Sequence, residues 1–440
     1  MASIPGAATI SLPVVFTTQT AYPLPSQKFM IPGTWKRYQL SQLVNKALAL
    51  PKIVPFDFLV KGEILRTSLG EWGAEHGVGE EETLDIEYIE SVMPPEKVSD
   101  FPHEDWVSSV SCQLQGQFLT ASYDGHIRTF DYSKATTSST QAHSAPITSI
   151  CLVPSTALDA NTYTIASASH DLTAQLTQVT LGAAAGSSSA KATRIATLHL
   201  HTAPLASIAS NSTGSNLLTA SWDGLIGHWD TSVPSSDEVP ENASNERDRK
   251  KRRKVDEAGR KKVPRKAPVG VLKSHVGRVS KAVFANGEGR IAYSCGFDST
   301  VRVWDTENGV CTHTITASEK PFLDLALPQE PHTLLAASTD RTMTLYDVRV
   351  STTSASAPVS FLHPALPSCL ATSSNTQQVV SGAYDGVVRV WDLRSAKGAL
   401  ATFRAWEGGE KVLSVDWERG LVGVGGEGGF AVWKVGEGAR

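Results

Sequence analysis

From residue 100 onward the chain repeats one short unit. It is a strand of small residues, a tight turn carrying an acid and, six residues after that acid, an aromatic ending the next strand. The unit reads Ala121-Ser122-Tyr123-Asp124-Gly125 to Phe130, Ala220-Ser221-Trp222-Asp223-Gly224 to Trp229, and Gly296-Phe297-Asp298-Ser299 to Trp304. It continues as Ser338-Thr339-Asp340-Arg341 to Tyr346, Gly382-Ala383-Tyr384-Asp385-Gly386 to Trp391, and Gly426-Glu427-Gly428 to Trp433. A weaker copy at Ser169-His170-Asp171 has Thr177 in the aromatic position, which makes seven. Successive turn acids lie 47, 52, 75, 42, 45 and 42 residues apart. Setting aside one insertion in the 75-residue interval restores a period near 45, the length of one small supersecondary unit. Between the turns, segments such as Thr300-Val301-Arg302-Val303-Trp304 and Val387-Val388-Arg389-Val390-Trp391 alternate apolar and polar residues, the signature of half-buried antiparallel strands.

These units resemble WD repeats, with Trp-Asp itself at Trp229-Asp230, Trp304-Asp305 and Trp391-Asp392. The resemblance implies a seven-bladed propeller of four-stranded sheets. Three repeats carry the polar tetrad of that family: His201, Thr219, Asp223 and Trp229; His275, Ser294, Asp298 and Trp304; His363, Ser381, Asp385 and Trp391. An imidazole, a hydroxyl, a carboxylate and an indole N–H can satisfy one another in a chain, so no buried polar group is left unpaired. The set could be mistaken for a Ser-His-Asp triad, but its recurrence once per blade marks it as structural. Ala336 and Gly423 stand at the hydroxyl position of the fifth and seventh copies, so those blades are expected to hold by packing alone. The last repeat ends at Phe430-Ala431-Val432-Trp433-Lys434-Val435 with too little chain beyond it for a fourth strand. The segment Ser91–Phe101 is the expected donor, which would pair the two ends of the ring and hide an open edge.

The formal charge of −4 conceals a segregation. Asp237 to Lys266 holds twelve Lys and Arg against seven Asp and Glu, leaving 28 basic against 37 acidic residues elsewhere. With almost nothing apolar to bury, a stretch spanning 234–268 is expected to be a disordered loop within the propeller. Its core Lys250-Lys251-Arg252-Arg253-Lys254 has the composition of a nuclear localisation signal, with importins as the implied partners and RNA phosphate as a lesser reading. The five cysteines are scattered without a CxxC pair, so neither a disulfide framework nor a zinc site is indicated. No run approaches the length of a membrane span, and Met1-Ala2-Ser3-Ile4-Pro5 lacks the regions of a signal peptide, so membrane insertion and secretion are not expected.

Residues 10–90 follow different rules. Pro13-Val14-Val15-Phe16-Thr17-Thr18 reads as a strand, and Leu40, Leu43, Val44 and Leu48 share one helical stripe. Then come Phe56-Asp57-Phe58-Leu59-Val60, a Lys61-Gly62 turn, Glu63-Ile64-Leu65-Arg66, a short helical stretch and Thr83-Leu84-Asp85-Ile86-Glu87-Tyr88-Ile89. That order looks like an α+β ubiquitin-like β-grasp domain. Pro55-Phe56-Asp57-Phe58-Leu59-Val60-Lys61-Gly62-Glu63-Ile64-Leu65-Arg66-Thr67-Ser68-Leu69, Ile86-Glu87-Tyr88 and His103-Glu104-Asp105-Trp106-Val107-Ser108-Ser109-Val110 closely resemble the Ytm family of WD-repeat ribosome biogenesis proteins. The resemblance extends to the whole order of parts: ubiquitin-like domain at 10–90, a linker and closing strand at 91–102, and a propeller at 103–437. Notchless, a neighbouring family, has a larger propeller than the seven repeats found here.

The resemblance implies a scaffold of pre-large-subunit ribosomal particles, located in the nucleus, nucleolus and nucleoplasm and acting in rRNA maturation. Its propeller would bind that of the block-of-proliferation (Erb) protein, which holds pescadillo (Nop). Its ubiquitin-like domain would dock on the metal site of the AAA ATPase midasin, whose pulling releases the complex. The family presents an acidic residue before the last strand of that domain, which falls on Glu81, with Glu80 the second candidate in the run Glu80-Glu81-Glu82. A carboxylate is the hard oxygen ligand that magnesium prefers. No cofactor, metal site of its own or catalytic constellation is expected, so the chain does not read as an enzyme. Gly423-Val424-Gly425-Gly426-Glu427-Gly428 fits the dinucleotide string but opens onto a strand and not a helix. Asn211-Ser212-Thr213 and Asn242-Ala243-Ser244 fit a glycosylation pattern that means little without secretion. The rival from another class is a WD-repeat substrate receptor of a ubiquitin ligase.

Overall fold

The computed structural model describes residues 11–79, 81–154, 162–180, 191–239, 263–287, 289–316, 319–330, 332–349, 359–373 and 377–436. They divide into two compact units, one carried mainly by the chain up to Pro94 and the other mainly by Pro95–Val390 and Thr402–Lys434.

The first unit is built on strands β1 (Ser11–Thr17), β2 (Lys28–Pro32), β3 (Phe56–Val60), β4 (Glu63–Ile64) and β5 (Leu84–Glu90), in the order β2-β1-β5-β3-β4. Two helices accompany them, α1 (Arg37–Leu48) and α2 (Leu69–Glu75). β1 runs parallel to β5 and every other pairing is antiparallel, the mixed sheet expected of a β-grasp. Alternation works as the sequence reading requires: Leu12, Val14 and Phe16 of β1 face inward with Ile86 and Tyr88 of β5. Of the helical stripe, Leu40 and Val44 are fully buried against this core, while Leu43 and Leu48 pack at its margin. Lys61 and Gly62 both take positive φ, 50° and 78°, which lets two residues reverse β3 into β4. α2 starts with a capping box, in which Ser68 accepts from the Glu71 N–H while the Glu71 carboxylate accepts from the Ser68 N–H.

The second unit is seven sheets, described here as blades 1 to 7 in chain order. Blade 4 is representative, with antiparallel strands Val279–Phe284, Ile291–Gly296, Val301–Asp305 and Val310–Ile315. Each innermost strand packs against that of the next blade, and the seventh packs against the first, so the ring is closed. The innermost strands share a register shift at one place, between Val107 and Ser109 in blade 1, Leu205 and Ser207 in blade 3, Phe322 and Asp324 in blade 5, and Val412 and Ser414 in blade 7. Such a bulge re-aims the following side chain, and here it aims at the neighbouring blade. Ser109 accepts from the Ile150 N–H at 3.2 Å, Ser207 from Ala282 at 3.1 Å, Asp324 from Leu370 at 2.6 Å and Ser414 from Val110 at 3.2 Å. The blades are therefore joined by directed bonds as well as by apolar contact.

The outer strand of blade 7 is β6 (Glu96–Phe101), which pairs antiparallel with Gly429–Lys434. Phe101 is buried there, with ring centroids 5.1 Å from Phe430, 5.0 Å from Phe130 and 6.0 Å from Phe118, so one aromatic cluster pins the first and last blades of the chain together. Truncating such a buried Phe costs about 3–5 kcal/mol.

The charged insertion is narrower than the expected 234–268. Arg265–Lys266 forms a short strand parallel to Lys191–His199, giving blade 2 a fifth strand. Lys266 is buried because its ammonium group finds the Ser232 hydroxyl at 2.9 Å, the Ser232 carbonyl and Asp230, while the Asp237 and Glu238 carboxylates cap the N–H groups of Arg265 and Ala267. The two ends of the insertion thus clasp each other. Lys250, Lys251, Arg252, Arg253 and Lys254 lie outside the described residues, as does Asn242.

Candidate functional site

The acidic turn lies between α2 and β5. Its backbone is set by the Glu82 N–H donating to the Gly79 carbonyl at 3.1 Å, and Leu84, fully buried, anchors the strand that follows. Glu82 pairs with Lys61 at 3.3 Å, and Lys28 donates to the Thr83 hydroxyl at 3.3 Å. Glu81 is exposed and no side chain among the described residues pairs with it. Glu80 lies outside the described residues. Among the described residues no three His, Cys, Asp or Glu side chains come together to hold a metal ion. A single exposed carboxylate can serve only as one ligand of a site that another molecule completes.

The tetrads fall into two designs. In blade 4 the Trp304 indole donates to Ser294 Oγ at 2.8 Å, that hydroxyl donates to His275 Nε2 at 2.7 Å, and His275 Nδ1–H donates to Asp298 at 2.8 Å. In blade 3 Trp229, Thr219, His201 and Asp223 repeat the relay at 2.9, 2.9 and 3.1 Å. Burial pushes His201 below its usual value, against the pull of Asp223. Burial also works to raise Asp298, but the bonds from His275 and Thr300 outweigh it and hold the carboxyl well below the usual range.

Blade 6 departs from the expected tetrad. His363 Nε2 still meets Ser381 Oγ at 3.0 Å, but its Nδ1 donates to the Ala365 carbonyl at 2.7 Å. Asp385 instead accepts from Arg389, four residues on, at 2.6 Å. The reason is charge: a guanidinium in reach makes a stronger bond to a carboxylate than a neutral imidazole does. Blade 1 has the same design, which the sequence reading missed. His103 bridges Thr120 Oγ1 and the Phe101 carbonyl, both at 3.0 Å, while Arg128 takes Asp124 at 2.5 Å.

Blade 2 holds a further relay that was missed, with His143 between Asp171 and Ser167 at 2.8 Å each. The available signal was the hydroxyl four residues before the turn acid, present in Thr120 and Ser167 as in Thr219, Ser294 and Ser381. The histidine was obscured by spacing, 28 residues from its acid against 22 and 23 in blades 3 and 4. The fifth and seventh blades are not held by packing alone. Asp340 accepts from the Thr342 N–H at 2.9 Å and from its hydroxyl at 2.6 Å, and Glu427 accepts from the Lys411 N–H at 3.1 Å.

One backbone bond is common to all seven turns. The residue just before the acid in blades 1 to 6, namely Tyr123, His170, Trp222, Phe297, Thr339 or Tyr384, and in blade 7 the turn acid Glu427 itself, donates its N–H to the carbonyl of the residue preceding that blade's innermost strand. The seven distances lie between 2.8 and 3.2 Å, so these side chains occupy equivalent places at one end of the blades.

The weaker signals resolve as structure. Gly423 to Gly428 runs from strand Leu421–Gly426 into strand Gly429–Lys434. A Cβ on Gly425 would lie 2.8 Å from Val107 and Val110, and one on Gly428 2.6 Å from the Trp406 ring, so close packing against blade 1 and Trp406 demands these glycines. Asn211 is buried, its amide donating to Thr213 and Ser215 at 2.9 Å each. All five cysteines are free, and burial raises the Cys151 and Cys369 thiols to about 12, which keeps them protonated and inert.

Against known families, residues 12–72 match the NLE (NUC135) domain, and residues 96–131, 192–230, 266–305 and 360–392 match the WD domain, G-beta repeat. The chain is 67% identical over 436 residues to "Ribosome biogenesis protein YTM1" of Laccaria bicolor, covering 98% of this chain and 96% of that protein. It is 61% identical over 437 residues to the protein of that name in Coprinopsis cinerea, with the same coverage. With the Saccharomyces cerevisiae protein it shares 31% identity over 425 residues, 90% of each chain.

Proposed function

Because the chain belongs to the Ytm family of WD-repeat ribosome biogenesis proteins, we propose that it is a non-catalytic scaffold of the pescadillo/block-of-proliferation complex in large-subunit assembly and rRNA maturation. The propeller holds the propeller of the block-of-proliferation protein and, through it, pescadillo. The N-terminal unit docks on the metal site of midasin, with Glu81 completing the metal's coordination. The Lys250–Lys254 cluster is the importin-binding element, consistent with work in the nucleolus and nucleoplasm. The observation that carries the docking step is the contrast between neighbours: Glu82 is occupied by Lys61, whereas the exposed Glu81 is matched by no partner among the described residues.

The test is metal-dependent binding of the full chain to the midasin metal-site domain, measured by titration calorimetry. Glu81→Ala should weaken binding at least tenfold, and a chelator should abolish wild-type binding. Glu82→Ala should bind as the wild type does. Equal affinity of Glu81→Ala and wild type, or indifference to the chelator, sinks the assignment.

A further inference from the structure

The seven pre-turn positions do one backbone job with the same bond, and Thr339 and Glu427 do it as well as any aromatic. Folding therefore does not require aromatic side chains there. Yet Tyr123, His170, Trp222, Phe297 and Tyr384 are all rings, gathered in blades 1 to 4 and 6. Burial does not account for them either, since Trp222, Phe297 and Tyr384 are 38%, 45% and 43% exposed. In blade 1 the residue that accepts the shared bond is also aromatic: Trp106, 43% exposed.

Four of these rings form a continuous strip across three blades. Trp106 meets Tyr123 at 5.7 Å between centroids, Tyr123 meets His170 at 6.4 Å, and His170 meets Trp222 at 5.3 Å. Blade 4 extends the strip, with the Arg278 guanidinium 4.6 Å from the Trp222 ring. Arg278 is exposed and no carboxylate pairs with it among the described residues. Burial lowers the pKa of His170, so at neutral pH it joins the strip as a neutral ring. Exposed Trp and Arg beside a half-buried Tyr are the residues that dominate protein–protein hot spots, and a cation stacked on an indole is preorganised to receive an anion.

We infer that the strip Trp106–Tyr123–His170–Trp222–Arg278 is a protein-docking surface. Its occupant is a folded partner presenting an apolar or aromatic anchor to the rings and a carboxylate to Arg278. The competing occupant for stacked aromatics is single-stranded RNA, which needs a basic track for its phosphates. Charge argues against it: outside Asp237–Lys266 the chain holds 28 basic against 37 acidic residues, and Glu104 and Asp105 immediately precede Trp106. One unpaired arginine matches one carboxylate, not a phosphate chain. This inference rests on the reading that the propeller is the unit that holds the block-of-proliferation protein, and it specifies the face.

The experiment titrates the purified block-of-proliferation protein against the full chain and its variants. Trp222→Ala should bind at least 30-fold more weakly and Arg278→Glu at least tenfold more weakly, each with an unchanged melting temperature. Tyr132→Ala is the control; this exposed aromatic sits at the other end of strand His126–Asp131 from Tyr123 and should bind as the wild type does. Wild-type affinity in both strip variants overturns the strip and leaves the partner reading standing. A wild-type chain that does not bind at all ends the partner reading and this inference with it. A single-stranded RNA oligonucleotide that the wild type binds and Arg278→Glu does not would assign the strip to nucleic acid and overturn the protein occupant.

Discussion

Blades 3 and 6 begin from the same four kinds of polar group, an imidazole, a hydroxyl, a carboxylate and an indole, and end with different wiring. In blade 3 the turn acid Asp223 belongs to His201, whereas in blade 6 Asp385 belongs to Arg389 and His363 turns to a backbone carbonyl. What differs in sequence is the residue four places after the acid: Gly227 in blade 3, Arg389 in blade 6. Blade 1, with Arg128 at that place, follows blade 6. Blade 2, with Gln175 there, follows blade 3, its His143 bound to Asp171. The lesson is that a repeated polar set does not determine its own hydrogen bonds. A neighbouring charge outside the set redistributes them, because a buried guanidinium left unpaired is far more costly than a neutral imidazole that must find a different acceptor.

The largest expected effect breaks the comparison at the acid. Asp385→Ala strands the guanidinium of Arg389, which is 7% exposed, and should destabilise the chain by about 3 kcal/mol. Asp223→Ala strands only a neutral N–H and the turn's backbone donors and should cost about 1–2 kcal/mol. Urea unfolding of the two variants, with Asp385→Ala/Arg389→Met as the third corner, decides the matter. The double variant should recover part of the loss. If Asp223→Ala proves as damaging as Asp385→Ala, charge is not what separates the two designs.

A smaller effect separates the blades by pH. Burial, with the charge of Arg389 added, depresses His363 to about 4. The unfolded chain then binds a proton that the folded chain refuses, so stability falls as pH drops from about 6.5 toward 4 and the loss is complete below the folded value. Allowing for partial solvent screening, the loss is about 2 kcal/mol. The turn acid of blade 1 acts in a lower window. Asp124, held at about 2 by Arg128 and Ser122 against the effect of burial, gives stability that is full above its unfolded value and is lost only as pH falls through about 2. His363→Gln should therefore flatten the stability profile between pH 6.5 and 4 and leave the steeper acid limb below 4 in place. An unchanged slope in the upper window would show that other groups produce it.

The two designs also mark how far the residues alone can be read. Blade number, the β-grasp order and the closing segment follow from periodicity and alternation, because backbone pairing tolerates many side chains as long as the pattern holds. The three named tetrads rested on residue type and spacing, and blade 6 shows that type and spacing do not specify which partner wins. Blade 2 was obscured by added length before its acid, and blade 1 by an aromatic, Phe130, where an indole was sought. The charged insertion was bounded by composition, which cannot foresee that Lys266 would find three oxygen partners and become part of a sheet. The ring of pre-turn residues was invisible for a related reason, since what unites Tyr123, Thr339 and Glu427 is a backbone bond and not a side-chain type.

The smallest effect tests the exception. Blade 4 has Arg302 four places after its acid, yet Asp298 still belongs to His275. Two residues after the acid stands Thr300, whose hydroxyl donates to Asp298 at 2.8 Å and accepts from Arg302 Nε at 3.1 Å, while Ser274 engages the same guanidinium. Arg302 is thereby held 3.6 Å from the carboxylate. Blade 6 has Val387 in the place of Thr300 and so has no such restraint. Thr300→Val should free Arg302 to bind Asp298 directly and drive His275 toward a backbone acceptor, converting blade 4 to the wiring of blade 6. One set of hydrogen bonds replaces another, so the stability change should stay within about 1 kcal/mol. Histidine-selective ¹⁵N NMR reads the exchange, since the Nδ1–H of His275 bonded to a carboxylate resonates further downfield than one bonded to a carbonyl. An unmoved His275 resonance in a variant of unchanged stability would show that Thr300 is not what holds the arginine away.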